Sequence, residues 1–221
     1  LKMPRTITIK GTGRADIKPD LIIIRLSVGS TDKNYEKASD AASERVTALK
    51  AALTGAGFSE DALRTSDFGV DTHYESIRDK DGNYRQEFAG YNCVYRLTIS
   101  FASDPGNLSR AISVISSSGA EPEISVSFTI KDTTSAYAEA LTNAAMNARA
   151  KAETLAAASG ASIGTLISID YSDRRPDLVS PTNFRMADEA MPLMAAKCTV
   201  PDITPENINV TDTVTFTWEI I

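Results

Sequence analysis

The only histidine of the 221-residue sequence, His73, stands between Asp71 and Glu75 at two-residue spacing. In a β-strand, residues two apart project from the same face. An imidazole nitrogen flanked by carboxylate oxygens is a ligand set that suits Zn²⁺ or another divalent ion. The competing interpretation is the solvated face of an antiparallel strand, because the opposite face of this stretch is apolar and carries Phe68, Val70 and Tyr74. Asp71, His73 and Glu75 are the metal-ligand candidates of the sequence.

Nucleophilic catalysis has few residues to draw on. Any Ser–His or Cys–His pair would require His73. Cys93 lies on the apolar face of an alternating segment and is expected to be a small core residue. Cys198 follows Lys197 and is the candidate for thiol redox chemistry, although no Cys-x-x-Cys motif exists. We predict no catalytic residue and no enzymatic activity, and a Cys93–Cys198 disulfide stays an open alternative.

A pair of glycines, Gly11-x-Gly13, stands where a dinucleotide-binding loop would begin. That motif needs a third glycine, where this sequence has Asp16, and a helix whose N-terminus holds the pyrophosphate. Here Pro19 and Asp20 lead into a β-branched run instead. We therefore predict no bound cofactor and interpret the glycines as structural, allowing the chain to turn out of a short first strand.

The bulk composition excludes two classes of partner. A net charge of −6 without a basic run argues against nucleic-acid binding. No apolar stretch reaches the length of about 20 residues that a membrane-spanning helix needs, so no transmembrane segment is predicted. Because the sequence begins with Leu1, we expect that an N-terminal targeting segment is absent from it.

Hydrophobic periodicity predicts an alternation of strands and helices. Two long strands flank Asp81-Gly82, a strong hairpin-turn signal, and their length predicts an arm that projects beyond the core as a subunit contact. The longest helix is alanine-rich, with Tyr137, Leu141 and Leu155 on its expected buried side. The predicted strands are 6–11, 21–28, 67–77, 84–101, 124–130, 165–171 and 209–220, and the predicted helices follow Thr31-Asp32, follow Asp104-Pro105 and cover 134–159.

Residues 174–206 fit neither periodicity. This insertion is rich in proline and methionine, including Met186, Met191 and Met194, and it also carries Phe184 and Leu193. Its apolar content exceeds that of a solvated tail. We expect it to dock on its own domain or on a neighbouring subunit.

The order of elements predicts the fold class and the domain organisation. Two β-α-β-β units, at approximately 21–101 and 122–221, are joined by a helix. This arrangement predicts an α+β fold in which a mixed, largely antiparallel sheet carries helices on one face, with a long projecting hairpin. We assign residues 1–221 to a single domain.

The sequence resembles the bacterial SIMPL domain family, a domain of unknown function found in periplasmic and outer-membrane immunogenic proteins. The resemblance rests on the order and spacing of a set of residues rather than on any single motif. The set comprises Gly11, Gly13, Pro19, Asp20, Leu63, Thr65, Tyr74, Gly90, Tyr91, Gly119, Ala120, Ser127, Phe128, Arg149, Lys151, Ala152, Leu155, Ala156, Gly160 and Gly164.

The resemblance implies an extracytoplasmic protein, in the periplasm, at the outer membrane or secreted, that forms homo-oligomers. It also implies a link to oxidative-stress tolerance and to antigenicity, and it supplies no catalytic residue. We expect a non-enzymatic envelope protein that acts through self-assembly or contact with an envelope protein partner. The alternative is an oxidative-stress defence or ligand-binding protein that uses Cys198 or the methionines.

Overall fold

The structure is a computed structural model that describes residues 5–78, 83–173, 175–186 and 203–221. These residues form an α+β fold with two sheets, of strand order β1-β8-β6 and β3-β4-β2-β5-β7. The predicted α+β class is confirmed, and the strands form two sheets where one sheet is predicted. The strands are β1 Thr6–Ile17, β2 Leu21–Asp32, β3 Leu63–Arg78, β4 Tyr84–Ala102, β5 Glu123–Thr129, β6 Ile163–Asp170, β7 Val179–Met186 and β8 Ile208–Ile220, and the helices are α1 Tyr35–Gly55, α2 Pro105–Ser117 and α3 Thr133–Ala158.

The chain divides into two compact units. The three-stranded unit comprises Leu1–Pro19, Thr129–Pro181 and Pro205–Ile221, and the five-stranded unit comprises Asp20–Phe128 and Thr182–Thr204, each as far as its residues are described. The predicted unit 21–101 lies within the five-stranded unit, whereas 122–221 is shared between both, because β5 joins the sheet of β2. The single-domain assignment stays a prediction.

In the three-stranded unit, α3 packs closely against β1. Gly11 and Gly13 lie inside this strand, which pairs antiparallel with β8 from Thr6 to Ile17. A Cβ at Gly11 would lie 2.7 Å from the Cβ of Ala148, and one at Gly13 would lie 2.8 Å from the carbonyl carbon of Asn143. The interpretation that these glycines turn the chain out of a short strand is therefore wrong. They remove the side chains that would hold the helix away from the strand.

Side chains of α3 also cover the open edge of β1. The Asn143 side-chain amide donates to the Arg14 carbonyl at 2.8 Å, and the Asn147 side-chain oxygen accepts from the Thr12 N–H at 3.2 Å. One helical turn further, Lys151 donates to the carbonyl of Lys10 at 3.5 Å. Four helical residues advance about 6 Å and two strand residues about 6.7 Å, so the spacings match along the edge.

The small alanine side chains of α3 allow it to approach β1 closely. Its buried residues are Ala136, Tyr137, Ala140, Ala144, Ala148, Ala152 and Ala156. The prediction that Leu155 lies on the buried side is wrong, since its side chain is 51% exposed. A leucine side chain on the buried side of α3 would require a wider separation between α3 and β1 than the close contacts at Gly11 and Gly13 permit.

In the five-stranded unit, α1 and α2 cover one face of the sheet. The strand β2 alternates as predicted and buries Ile22, Ile24, Leu26 and Val28 in one cluster with both helices. Asp104 caps α2 and is followed by Pro105, also as predicted. The cap of α1 is Asn34 rather than Asp32, whose carboxylate instead accepts the Asn34 N–H at 2.8 Å.

The proline- and methionine-rich insertion supplies an unpredicted strand. Its residues 179–186 form β7, at the edge of the five-stranded sheet, where Pro181 is tolerated because an edge strand has a free side. Met186 is buried, and Phe184 packs against the same core. This part of the insertion docks on its own chain, whereas Met191, Leu193 and Met194 lie outside the described residues.

Candidate interaction surface

The hairpin of β3 and β4 extends past the rest of its sheet. β2 pairs with β4 only as far as Asp32 opposite Tyr91. Beyond that point β4 pairs with β3, from Gly90 opposite His73 to Tyr84 opposite Arg78. We call these two stretches, 73–78 and 84–90, the arm. The predicted long hairpin is confirmed, and its turn signal Asp81-Gly82 lies outside the described residues.

A β-bulge marks the base of the arm. Consecutive residues His73 and Tyr74 oppose Gly90 and Phe88, so Ala89 is the extra residue. A Cβ at Gly90 would lie 2.6 Å from the Asp32 carbonyl oxygen, so any side chain at this position would clash with the end of β2. The bulge keeps Phe88 and Tyr91 on one face although they are three residues apart.

Aromatic rings follow that face from the arm to the start of α1. Tyr74 contacts Phe88 with ring centroids 5.8 Å apart, Phe88 contacts Tyr91 at 5.3 Å, and Tyr91 contacts Tyr35 at 6.1 Å. All three pairs are edge-to-face, a favourable ring geometry. Within the sheet, beyond the base of the arm, the rings of the paired residues Phe68 and Tyr95 lie 4.5 Å apart.

Much of this face is exposed to solvent. The exposed fraction is 51% for Tyr74 and 40% for Phe88. Contiguous apolar patches of this kind mark interaction sites on soluble proteins. We define the aromatic face as the exposed residues Tyr35, Phe68, Val70, Tyr74, Tyr84 and Phe88.

The metal-ligand candidates lie on the other face of β3. Asp71, His73 and Glu75 are all exposed, opposite Asn92, Gly90 and Glu87. Within the described ranges, no three His, Cys, Asp or Glu side chains are grouped as a metal site.

The described cysteine is a core residue, as its strand pattern predicts. Cys93 carries a free thiol that is fully buried against Ala38 and Ala42 of α1. Burial raises the pKa of this thiol, which lowers its reactivity. Cys198, the predicted candidate for thiol redox chemistry, lies outside the described residues.

Four signature residues occupy turns and boundaries, and Gly164 lies in β6. Pro19 and Asp20 connect β1 to β2, where the chain passes from one unit to the other. Gly119 and Gly160 follow α2 and α3 with φ of 72° and 71°, a left-handed conformation that favours glycine. A Cβ at Gly164 would lie 3.3 Å from a methyl carbon of Ile221.

None of the helices in the described residues combines the length and the hydropathy of a membrane-spanning segment.

Comparison with known proteins agrees with the signature. The chain is 27% identical, over 173 residues, to the 26 kDa periplasmic immunogenic protein of Brucella melitensis biotype 1. The protein of the same name from Brucella abortus strain S19 is also 27% identical over 173 residues. Each match covers 78% of this chain and 69% of the relative. The family model described as SIMPL, protein of unknown function (DUF541), matches residues 7–218. The chain belongs to the SIMPL family.

Proposed function

We propose that this protein is a non-enzymatic component of the extracytoplasmic compartment that self-assembles into homo-oligomers through the aromatic face of its arm. The carrying observation is the continuous ring series Tyr74–Phe88–Tyr91–Tyr35, which starts on an arm that extends beyond its sheet and ends at the start of α1. The periplasmic location in the name of the Brucella relatives supports the compartment.

The two faces of the arm differ in what they can bind. The aromatic face offers rigid, amphipathic side chains, the type enriched at interface centres. The opposite face places Glu75 directly across from Glu87, and like charges in opposed positions destabilise a strand pair. Burial of the aromatic face against a second copy offsets the cost of exposing it, and the charged face stays in water.

A non-catalytic role is supported by the placement of the candidate groups. His73 is exposed on one strand, and the Cys93 thiol is buried. Neither environment activates a nucleophile or a base.

Light scattering after size exclusion tests the assembly. One chain has a mass of 23.7 kDa, and the wild-type particle is expected to contain two or more chains. The double variant Tyr74→Ser/Phe88→Ser should lose at least half of the particle mass, because it removes the centre of the aromatic face. His73→Ser, on the other face of the same arm, is the control and should keep the wild-type mass. Circular dichroism checks that each variant is folded.

A wild-type chain that is monomeric at every concentration refutes self-assembly. A double variant with the wild-type mass refutes the arm as the interface. For the compartment, fractionation of cells that express the complete gene should place the protein outside the cytoplasm, and recovery with cytosolic markers contradicts the proposal.

Ligand binding in extracytoplasmic stress defence is the second candidate. The observation that favours it is a groove on the uncovered face of the five-stranded sheet, lined by arginine side chains from three strands.

A further inference from the structure

The face of the five-stranded sheet that α1 and α2 leave uncovered contains a hollow of about 570 Å³. Its volume is in the range of small-molecule sites. Alternation places the polar side chains of Arg25, Ser27 and Ser125 on this face, because Ile24, Leu26 and Val126, their neighbours along β2 and β5, are buried in the core. We call this hollow the arginine groove.

Three guanidinium groups line the groove, those of Arg25 on β2, Arg96 on β4 and Arg185 on β7. Arg25 is opposite Thr98, so Arg96 is its diagonal neighbour. Diagonal neighbours lie about 7–8 Å apart, within reach of long side chains. Asp67 forms an ion pair with Arg96, and the one carboxylate among the lining residues is that of Glu123. Three guanidinium groups against these two carboxylates leave the groove with a net positive charge, in a chain whose overall net charge is −6.

A buried hydroxyl group orients one of the guanidiniums. Ser127, on β5, is 8% exposed and accepts a hydrogen bond from Arg25 Nη1 at 3.0 Å. Its own hydroxyl donates to the Ile23 carbonyl at 3.4 Å. Burying a hydroxyl costs free energy unless it is hydrogen-bonded. Ser127 therefore holds Arg25 in one orientation, which lowers the entropy cost of binding an anion there.

We propose that the arginine groove binds a small polyanion, a molecule with at least two carboxylate or phosphate groups. The planar guanidinium fork matches both oxyanions in a bidentate geometry. The hydroxyls of Ser27 and Ser125 supply further polar contacts. This inference deepens the second candidate function, ligand binding, and is independent of self-assembly.

Calorimetric titration with citrate and, separately, with pyrophosphate tests the site on the purified protein. The wild-type chain should bind at least one probe saturably, and more weakly as salt is added. Arg185→Gln should weaken that binding by about tenfold or more, because it removes one charge-assisted contact. Arg185 is exposed, so this variant retains the fold. Arg14→Gln, an exposed arginine in the other unit, is the matched control and should bind as the wild type does.

Ser127→Ala tests the positioning role, since it leaves all three arginines in place. It should weaken binding while the Arg25 side chain is retained, and Ser127→Thr should restore part of the affinity. Binding of citrate alone assigns a carboxylate ligand, and binding of pyrophosphate alone assigns a phosphate ligand. Binding of neither probe, or equal weakening by Arg14→Gln, overturns the proposal. The mass of Arg185→Gln by light scattering should equal that of the wild type. A loss of anion binding without a change in mass therefore concerns the groove and not self-assembly.

Discussion

Gly11 and Ala148 lie so close together that a Cβ on the glycine would be 2.7 Å from the Cβ of the alanine. Cβ atoms in folded proteins do not approach so closely, so at Gly11 the helix α3 and the strand β1 meet through backbone and methyl groups. The two glycines of the segment that suggests phosphate binding therefore have a packing role. The same close approach brings Asn143, Asn147 and Lys151 within hydrogen-bonding distance of the strand edge.

Replacement of Gly11 by alanine should destabilise the chain by about 3 kcal/mol, because the added methyl group overpacks a contact that has no free space. Urea unfolding monitored by circular dichroism measures the loss. Gly69→Ala is the matched control in a strand, since nothing lies within 4 Å of a Cβ there. A loss of similar size in both variants would mean that the strand conformation, and not the helix contact, requires glycine.

Removal of the Asn147 side chain should expose the edge of β1. Asn147→Ala leaves the Thr12 N–H without its side-chain acceptor and should cost about 1 kcal/mol of unfolding free energy. Asn147→Asp keeps an oxygen acceptor and should cost less. Equal losses in urea unfolding for the two variants would show that the Thr12 N–H does not depend on this acceptor.

Stability should fall with rising pH in a window that the Cys93 thiol sets. Burial raises the pKa of this thiol above its unfolded value of about 8.5, so the folded state favours the protonated form. The resulting stabilisation is complete below the unfolded pKa and is lost as the pH rises through the folded pKa. The advantage of the wild type over Cys93→Ala in urea unfolding should therefore be larger at pH 7 than at about pH 9.5.

Tyr137 and Tyr171 also have raised pKa values, mainly through burial. Both phenols are present in the wild type and in Cys93→Ala, and their ionisation at alkaline pH should lower the stability of the two proteins equally. The difference between the two proteins therefore isolates the effect of Cys93. An advantage that does not change with pH would contradict the assignment to this thiol.

Local periodicity was sufficient for most elements of the fold. The alternation of β2 and the cap Asp104 with Pro105 ahead of α2 are properties of neighbouring residues, and the structure confirms them. The strand β7 was not predictable in this way, because Pro181 and the polar residues beside it mask its pattern, and it forms only by adding to the edge of an existing sheet.

The sequence by itself determined the α+β class, the long hairpin, the buried position of Cys93 and the family signature. Each of these follows from spacing within a short segment, whose physics is the period of a strand or a helix. Only the tertiary structure decided what Gly11 and Gly13 contact and which arginines share a groove. Arg25, Arg96 and Arg185 are distant in sequence, and strand order, a long-range property, brings them to one hollow. The aromatic face is a similar case, since Tyr35 joins the rings of the hairpin only because α1 begins beside Tyr91.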